Sequence, residues 1–539
     1  MINTFIEKIS LIVNNVEKNI AFQHNDCEVL LASFLENNEL SFDIKIEFAT
    51  AIKQVRLPSY SWGSSSNETI IPEYANKILQ LENGLYIQSE TPIGIWQLSK
   101  SEPKILYWKF NPKGAYQIVK YKGEHNYKHT EDAIVEFSKE FSLKLFCSLE
   151  GAFEISRSKI PFSSIMCFTD HCDFDTLELL EKQRVFFKEK NIKTTKGFFL
   201  NHFSKREDNA SWENDSEELN KWVKDGHELC YHSLSQSIKS LDESFNDFKS
   251  FVPPITIPTW IDHGYQPYNL SLFEKEGLSV NDYSKVLENK NIEILWNYID
   301  SGTSTKSVIN QLNTSDFTLN SFYKGIKNKS FKTRVSLLIK NCIVHFYNDE
   351  KLIRNYTQLA TSFKKVAKTK SVKDFIQFIK MSFNVVYPLV KILLFWNSYK
   401  NRVYPLAKYC PVFFEHTIGE KKFVVFQTLE MVDFVDSLNT MAVDKFIKES
   451  GLFIGHTYFS VPMNYHEGRL FTDEKEINEK VNQNFTYISE KIEENKIWNP
   501  TLQELVEHWK KFQNTKLELD SNNKIVLSSI NDLPYRFIK

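Results

Sequence analysis

Several common signatures are missing from this chain, and each absence narrows its class. Its seven cysteines are odd in number and dispersed, with no Cys-x-x-Cys pair, which excludes a zinc knuckle or dithiol redox centre and favours a reducing compartment. No basic segment followed by an uninterrupted apolar one occurs near Met1, so no signal peptide is expected and the chain reads as cytoplasmic. No Gly-x-Ser-x-Gly elbow is present, which argues against a Ser-His-Asp esterase. The most apolar stretch, 375–396, is interrupted by Lys380, Pro388 and Lys391, which argues against a spanning helix. Charge of one sign is also lacking: 66 Lys and Arg meet 68 Asp and Glu, so nucleic acid is not expected as a partner.

What is present supports a large folded chain. With 539 residues, 42% hydrophobic and 14% aromatic, it buries a sizeable core and is expected to hold more than one domain. The small net charge hides an asymmetry. Residues 321–405 carry seventeen Lys and Arg against three Asp and Glu, a local balance of +14 that leaves −16 for the rest. A helical hairpin lying on an anionic membrane surface fits this segment; a helical subdomain packed on the body, with its lysines solvated, fits it as well.

The chain divides by pattern. Residues 1–155 are read as an α+β domain without recognisable chemistry, in which 104–110 and 116–122 alternate about an Asn111-to-Gly114 turn like a hairpin. From 163 onward, short apolar runs (165–168, 194–200, 255–261, 292–298) alternate with helical ones (177–191, 216–224, 270–275). This is the pattern of βα units around a parallel sheet or barrel. It breaks after 302 and resumes near 410 with a hairpin-like pair, a strand at 452–459, helices at 477–495 and 502–512, and a closing hairpin in the tail. The expected architecture is α/β: a distorted β/α barrel from 156–302 and 409–539, with 303–408 as a basic, aromatic-rich helical insertion.

Chemistry concentrates where the barrel pattern begins. The apolar strand Ile165-Met166-Cys167-Phe168 runs into Thr169-Asp170-His171-Cys172-Asp173-Phe174-Asp175, echoed by Gly226-His227-Glu228-Leu229-Cys230-Tyr231-His232. Carboxylates and imidazoles gathered at strand C-termini suggest a metal and a proton-transfer group. The ordering of these motifs resembles the polysaccharide deacetylase family (carbohydrate esterase family 4, NodB homology domain), over roughly 160–300 and 410–515. That family opens with Thr-Phe-Asp-Asp-Gly, whose first Asp is the general base and whose second binds a divalent metal; Asp170 and His171 stand at those places. Its second motif, His-Ser/Thr-x-x-His, gives two further ligands, matched here by His232 and Gln236. A third ligand would come from Asp173 or from His263 in Thr259-Trp260-Ile261-Asp262-His263-Gly264, where the family carries an Arg-containing third motif that this chain lacks. Ile454-Gly455-His456-Thr457 resembles the family's Leu-x-His, making His456 the general acid, with Asp300 to orient it.

The resemblance implies a hydrolase, with zinc as the expected divalent ion, that removes an acetyl or other acyl group from a polysaccharide or lipid-linked glycan precursor. An acylated glycan would then be its partner, met at the inner membrane face. The alternative is a carbohydrate-binding protein that keeps the deacetylase fold without turnover, as the altered motif positions would allow.

Overall fold

Seven strands spread over residues 164–457 close a parallel barrel. Its strands are β1 (Ser164–Asp170), β2 (Thr195–Phe198), β3 (Glu228–Tyr231), β4 (Thr259–Trp260), β5 (Ile294–Thr303), β6 (Lys421–Glu430) and β7 (Leu452–Thr457). Each pairs with the next, and β1 lies between β7 and β2, so no barrel edge is left open. The computed structural model describes residues 5–25, 28–34, 41–64, 68–122, 127–135, 140–201, 209–232, 234, 239–261, 269–461, 469–528 and 532–539.

Helices α1 (Leu177–Glu189), α2 (Trp212–Lys224), α3 (Leu241–Ser250) and α4 (Val280–Asn289) follow the first four strands in turn. Their starts are written in the sequence. Thr176, Ser211, Ser240 and Ser279 each accept a hydrogen bond from a backbone amide in the first turn, as good N-caps do. Every residue of β1 is buried because a parallel strand is covered on both faces. Ile165 and Cys167 join a core with Ile294, Trp296 and Ile454. Met166 and Phe168 alternate with them and pack with Leu180 and Phe187 of α1.

The N-terminal region departs from the α+β expectation. Its described residues form strands and no helix. A six-stranded and a seven-stranded sheet share one core containing Trp96, Trp108, Ile44 and Leu145. The strand Phe42–Phe48 alternates strictly between buried and half-buried, the period of a sheet facing one core. The expected hairpin across Asn111 to Gly114 does not form either. Ile105–Phe110 pairs with Phe42–Phe48 and Ile95–Leu98, whereas Gln117–Lys122 pairs with Tyr127–Asp132. The turn, with Asn111 and Gly114 at positive φ, instead leads the chain to the barrel mouth, where Asn297 donates to the Gln117 carbonyl at 3.0 Å.

The insertion between β5 and β6 is helical, as the pattern suggests. Helices α5 (Phe331–Asn341), α6 (Glu350–Thr369) and α7 (Val372–Leu394) are its long members, and α6 and α7 fold against one another, joined by the Lys365–Asp374 ion pair at 2.9 Å. Lys340 of α5 reaches Glu430 at the end of β6, 2.8 Å away, which ties the insertion to the barrel mouth. The tail hairpin is present, Leu517–Leu519 against Ile525–Leu527.

Candidate metal centre and proton-transfer pair

The C-terminal ends of the barrel strands bring together residues far apart in the chain, where barrel folds place their chemistry. His171 follows β1 and His232 follows β3. His171 Nδ1 and His232 Nε2 lie 2.8 Å apart, and Asp173 Oδ2 is 3.4 Å from His232 Nε2. All three donor atoms fall within 4.8 Å of one another. Two imidazole nitrogens and a carboxylate oxygen suit zinc and other first-row divalent ions. Burial, with His456 and Lys196 adding to it, holds the His232 imidazole well below the usual range, so it is neutral and keeps a lone pair for a ligand or a hydrogen bond. The group therefore fits a divalent ion. Gly197 of β2 lets it assemble: a Cβ there would lie 2.9 Å from the Asp170 carbonyl oxygen and 3.4 Å from the His232 ring.

His456, near the end of β7, stands beside this group. Its ring centroid is 4.3 Å from that of His171 and 4.5 Å from Trp296. Asp300 orients it, with Oδ1 3.1 Å from His456 Nδ1, and Thr428 donates to the same carboxylate oxygen at 2.7 Å. Trp296 Nε1 in turn donates to the Thr428 hydroxyl at 3.0 Å. Asp300 reaches this position through an irregularity in β5. The pairing register with β6 shifts between Trp296 and Asp300, and Tyr298 between them takes φ 58°, a conformation costly for a bulky residue.

Asp170 does not occupy the place expected of a general base. It alternates with Met166 and Phe168 on the face of β1 that packs against α1, whereas His171 follows on the opposite face. Fully buried, Asp170 is ion-paired with Lys196 and accepts from the Phe459 amide at 3.0 Å. Lys196 also meets Asp175 at 2.5 Å and Gln183 at 3.0 Å. Burial, reinforced by Asp175 and opposed by Lys196, lifts the Asp170 carboxyl to about 7. Against its own desolvation, Lys196 is held above its usual value by the two carboxylates. Asp170 is thus a structural partner behind the metal group. His227, which the sequence pattern did not mark as a ligand, packs against Trp222 and accepts from the Thr194 amide at 3.1 Å. His263 and Gln236 lie outside the described residues.

Lys196 is the residue that sequence reasoning missed. It sits in an apolar run read simply as a strand, and its meaning appears only when β1 and β2 pair with Asp170 opposite Lys196. A lysine just ahead of Gly197-Phe198-Phe199-Leu200, in a run read as a buried strand, was the available signal.

No protein-family model and no curated protein matches the chain. Among solved structures, a xylosidase from Aspergillus niger is 10% identical, covering 54% of this chain and 41% of its own, with a TM-score of 0.20. A family 31 dextranase from Flavobacterium johnsoniae in complex with isomaltotriose is 8% identical, with 54% and 41% covered and a TM-score of 0.22. This chain spans about two fifths of the length of either. Likeness that loose leaves the assignment to the topology and the site.

Proposed function

We propose that the protein is a metal-dependent hydrolase that removes an acyl group, acetyl in the simplest case, from a polysaccharide or lipid-linked glycan precursor. The observation that carries this reading is the convergence of His171, Asp173 and His232 within 4.8 Å beside the Asp300–His456 pair. These three residues would hold the ion. A divalent metal there, zinc by its donor set, supplies Lewis acidity that acidifies water and polarises a carbonyl.

The remaining chemistry belongs to the chain. Asp300 fixes the His456 ring through Nδ1, which leaves Nε2 as the atom that exchanges a proton. His456 takes a proton from water as the oxygen adds to the acyl carbon. It returns that proton to the sugar nitrogen or oxygen as the acyl bond breaks, releasing the free acid and the deacylated sugar. No covalent enzyme intermediate is required. With Asp170 turned to Lys196, His456 serves as both base and acid, in place of the division of roles in the deacetylase pattern. Tyr458, half-buried, stacks on His171 and offers its other face to a sugar ring, while the buried Trp296 meets His456 edge-on.

The engagement of Asp170 also favours the second reading, a glycan-binding protein without turnover. One experiment separates them. Metal content of the purified full-length protein and acetate release from acetylated oligosaccharides are measured for the natural sequence and for His232→Ala. The hydrolase reading expects about one divalent ion per chain, with ion and acetate release lost together in the variant. Bound oligosaccharide without acetate release supports the binding protein, and protein purified without stoichiometric metal sinks the hydrolase.

A further inference from the structure

Helix α7 carries apolar residues on an inner and an outer side, with a polar strip between them, but only the inner side is packed. Val385 and Ile392 are 3% and 2% exposed; Val385 joins a small core with Ile343 and Leu352. The other side runs through Val372, Ile376, Ile379, Phe383, Val386, Val390 and Leu393, all exposed, with Phe383 at 71% and Leu393 at 72%. The spacing of three and four residues makes this one continuous stripe along a 23-residue helix, roughly 34 Å long at the α-helical rise. A surface in contact only with water rarely shows such a patch.

The charges around the stripe say what covers it. Lys368, Lys370, Lys373, Lys380 and Lys391 are all exposed on the same hairpin, within the segment whose local balance is +14. Phe395 and Trp396 stand at the C-terminal end of α7, and Tyr387 on the helix is exposed. An apolar stripe with flanking lysines and interfacial aromatics complements the surface of an anionic bilayer, where side chains enter the acyl boundary and ammonium groups meet phosphates.

Helix α7 is long and apolar enough by length and composition to cross a membrane, but its packing points to a position along the surface. Its inner face is fastened to the protein. The Tyr347 hydroxyl donates to the Pro388 carbonyl at 2.8 Å, and Lys365 pairs with Asp374 across the hairpin. A helix bound to its own domain along one side meets lipid only along the other.

We propose that the α6–α7 hairpin docks the protein on an anionic membrane surface through the Phe383–Leu393 stripe and its flanking lysines. The placement has a geometric consequence. A cavity of about 530 Å³ is lined by Asp300 and Tyr298 at the barrel mouth, His345 of the insertion, and Glu350, Arg354 and Gln358 of α6. Docking through α7 therefore holds one end of this cleft beside the proton-transfer pair and another beside the membrane-bound hairpin. The docking itself does not depend on the chemistry proposed for the barrel.

Flotation of the full-length protein on phosphatidylcholine vesicles, with and without phosphatidylglycerol, tests it. The natural sequence is expected to float with the anionic vesicles and to be released by salt. Phe383→Glu with Leu393→Glu is expected to lower the bound fraction about ten-fold or more. Lys373→Glu with Lys380→Glu and Lys391→Glu is expected to reduce binding on anionic vesicles to the level seen on neutral ones. All five positions are exposed, and coincident thermal unfolding curves confirm that the variants are folded. Failure of the natural sequence to float, or undiminished flotation of the Phe383/Leu393 variant, overturns the proposal. So does a solution dimer that this variant splits while neither protein binds vesicles, since the stripe would then belong to a second copy.

Discussion

The barrel mouth and the helical hairpin break the ordinary burial pattern in opposite senses. At the mouth, Asp170, His171, Lys196 and His232 are withdrawn from water, whereas on α7 it is Phe383, Tyr387 and Leu393 that face it. The first is tolerable because polar partners lie within the fold: lysine between carboxylates, imidazole against imidazole. The second places its apolar surface where the chain itself does not cover it. The difference teaches that buried polarity here is solved within the fold, while the apolar stripe is left uncovered among the described residues; under the two proposals above the first serves chemistry and the second placement.

The hardest test of this contrast is to remove a charge from each region. Lys196→Met leaves Asp170 and Asp175 buried without their cation and is expected to destabilise the protein by about 3–5 kcal/mol in denaturant unfolding. Lys365→Met removes an exposed partner of Asp374 on the hairpin and is expected to change stability by less than about 1 kcal/mol. Equal losses would show that the buried triad has no special weight.

Asp300→Asn sharpens the division within the mouth. An amide keeps the shape but no longer stabilises an imidazolium at His456, so acetate release is expected to fall about 10²- to 10⁴-fold, with metal content unchanged. An unaltered pH–rate profile in this variant would remove His456 from the proposed proton transfer.

Much of this geometry was legible in the sequence, and the reasons for the exceptions are specific. Short apolar runs alternating with helical ones announce a βα barrel, and the gathering of His171, Asp173, His232, Asp300 and His456 follows from placing each at a strand's C-terminal end. The role of Asp170 was not legible because both faces of β1 are apolar. Ile165 to Phe168 therefore carries no alternation to tell which face looks into the barrel, and adjacent Asp170 and His171 look alike in one dimension. Lys196 was hidden because strand register is a long-range property. The N-terminal region was misjudged at the Asn111-to-Gly114 turn, where turn residues suggested local pairing, while Ile105–Phe110 found its partners earlier in the chain, at Ile95–Leu98 and Phe42–Phe48.

Acidification probes the buried polar set as a whole. His227, His345, His416 and His508 are buried, and burial lowers each to about 4. Because these folded-state values lie below the ordinary 6.5, the unfolded chain takes up protons first as pH falls. Stability present above pH 6.5 is lost through the window down to about 4. Each histidine contributes about 1 kcal/mol of loss one unit below its ordinary value. Denaturation midpoints at pH 7 and pH 5.5 should differ accordingly, and His345→Gln should narrow the gap by one share. The raised Asp170 carboxyl acts in the opposite sense over the same window, so the His345→Gln arm decides: a gap it leaves unchanged would contradict the burial assigned to that ring.

The smallest expected effect tests the hairpin side most directly. Ile392 and Leu393 are sequence neighbours on α7, one 2% and the other 72% exposed. Ile392→Ala opens a cavity against the insertion core and is expected to cost about 2 kcal/mol or more. Leu393→Ala removes a side chain that packs on little of the protein and is expected to shift stability by no more than about 0.5 kcal/mol, while weakening flotation on anionic vesicles. Thermal unfolding without lipid separates the two. If Leu393→Ala destabilised the lipid-free protein as much as Ile392→Ala, the outer stripe would already be covered in solution, and the two regions would differ in composition without differing in what completes them.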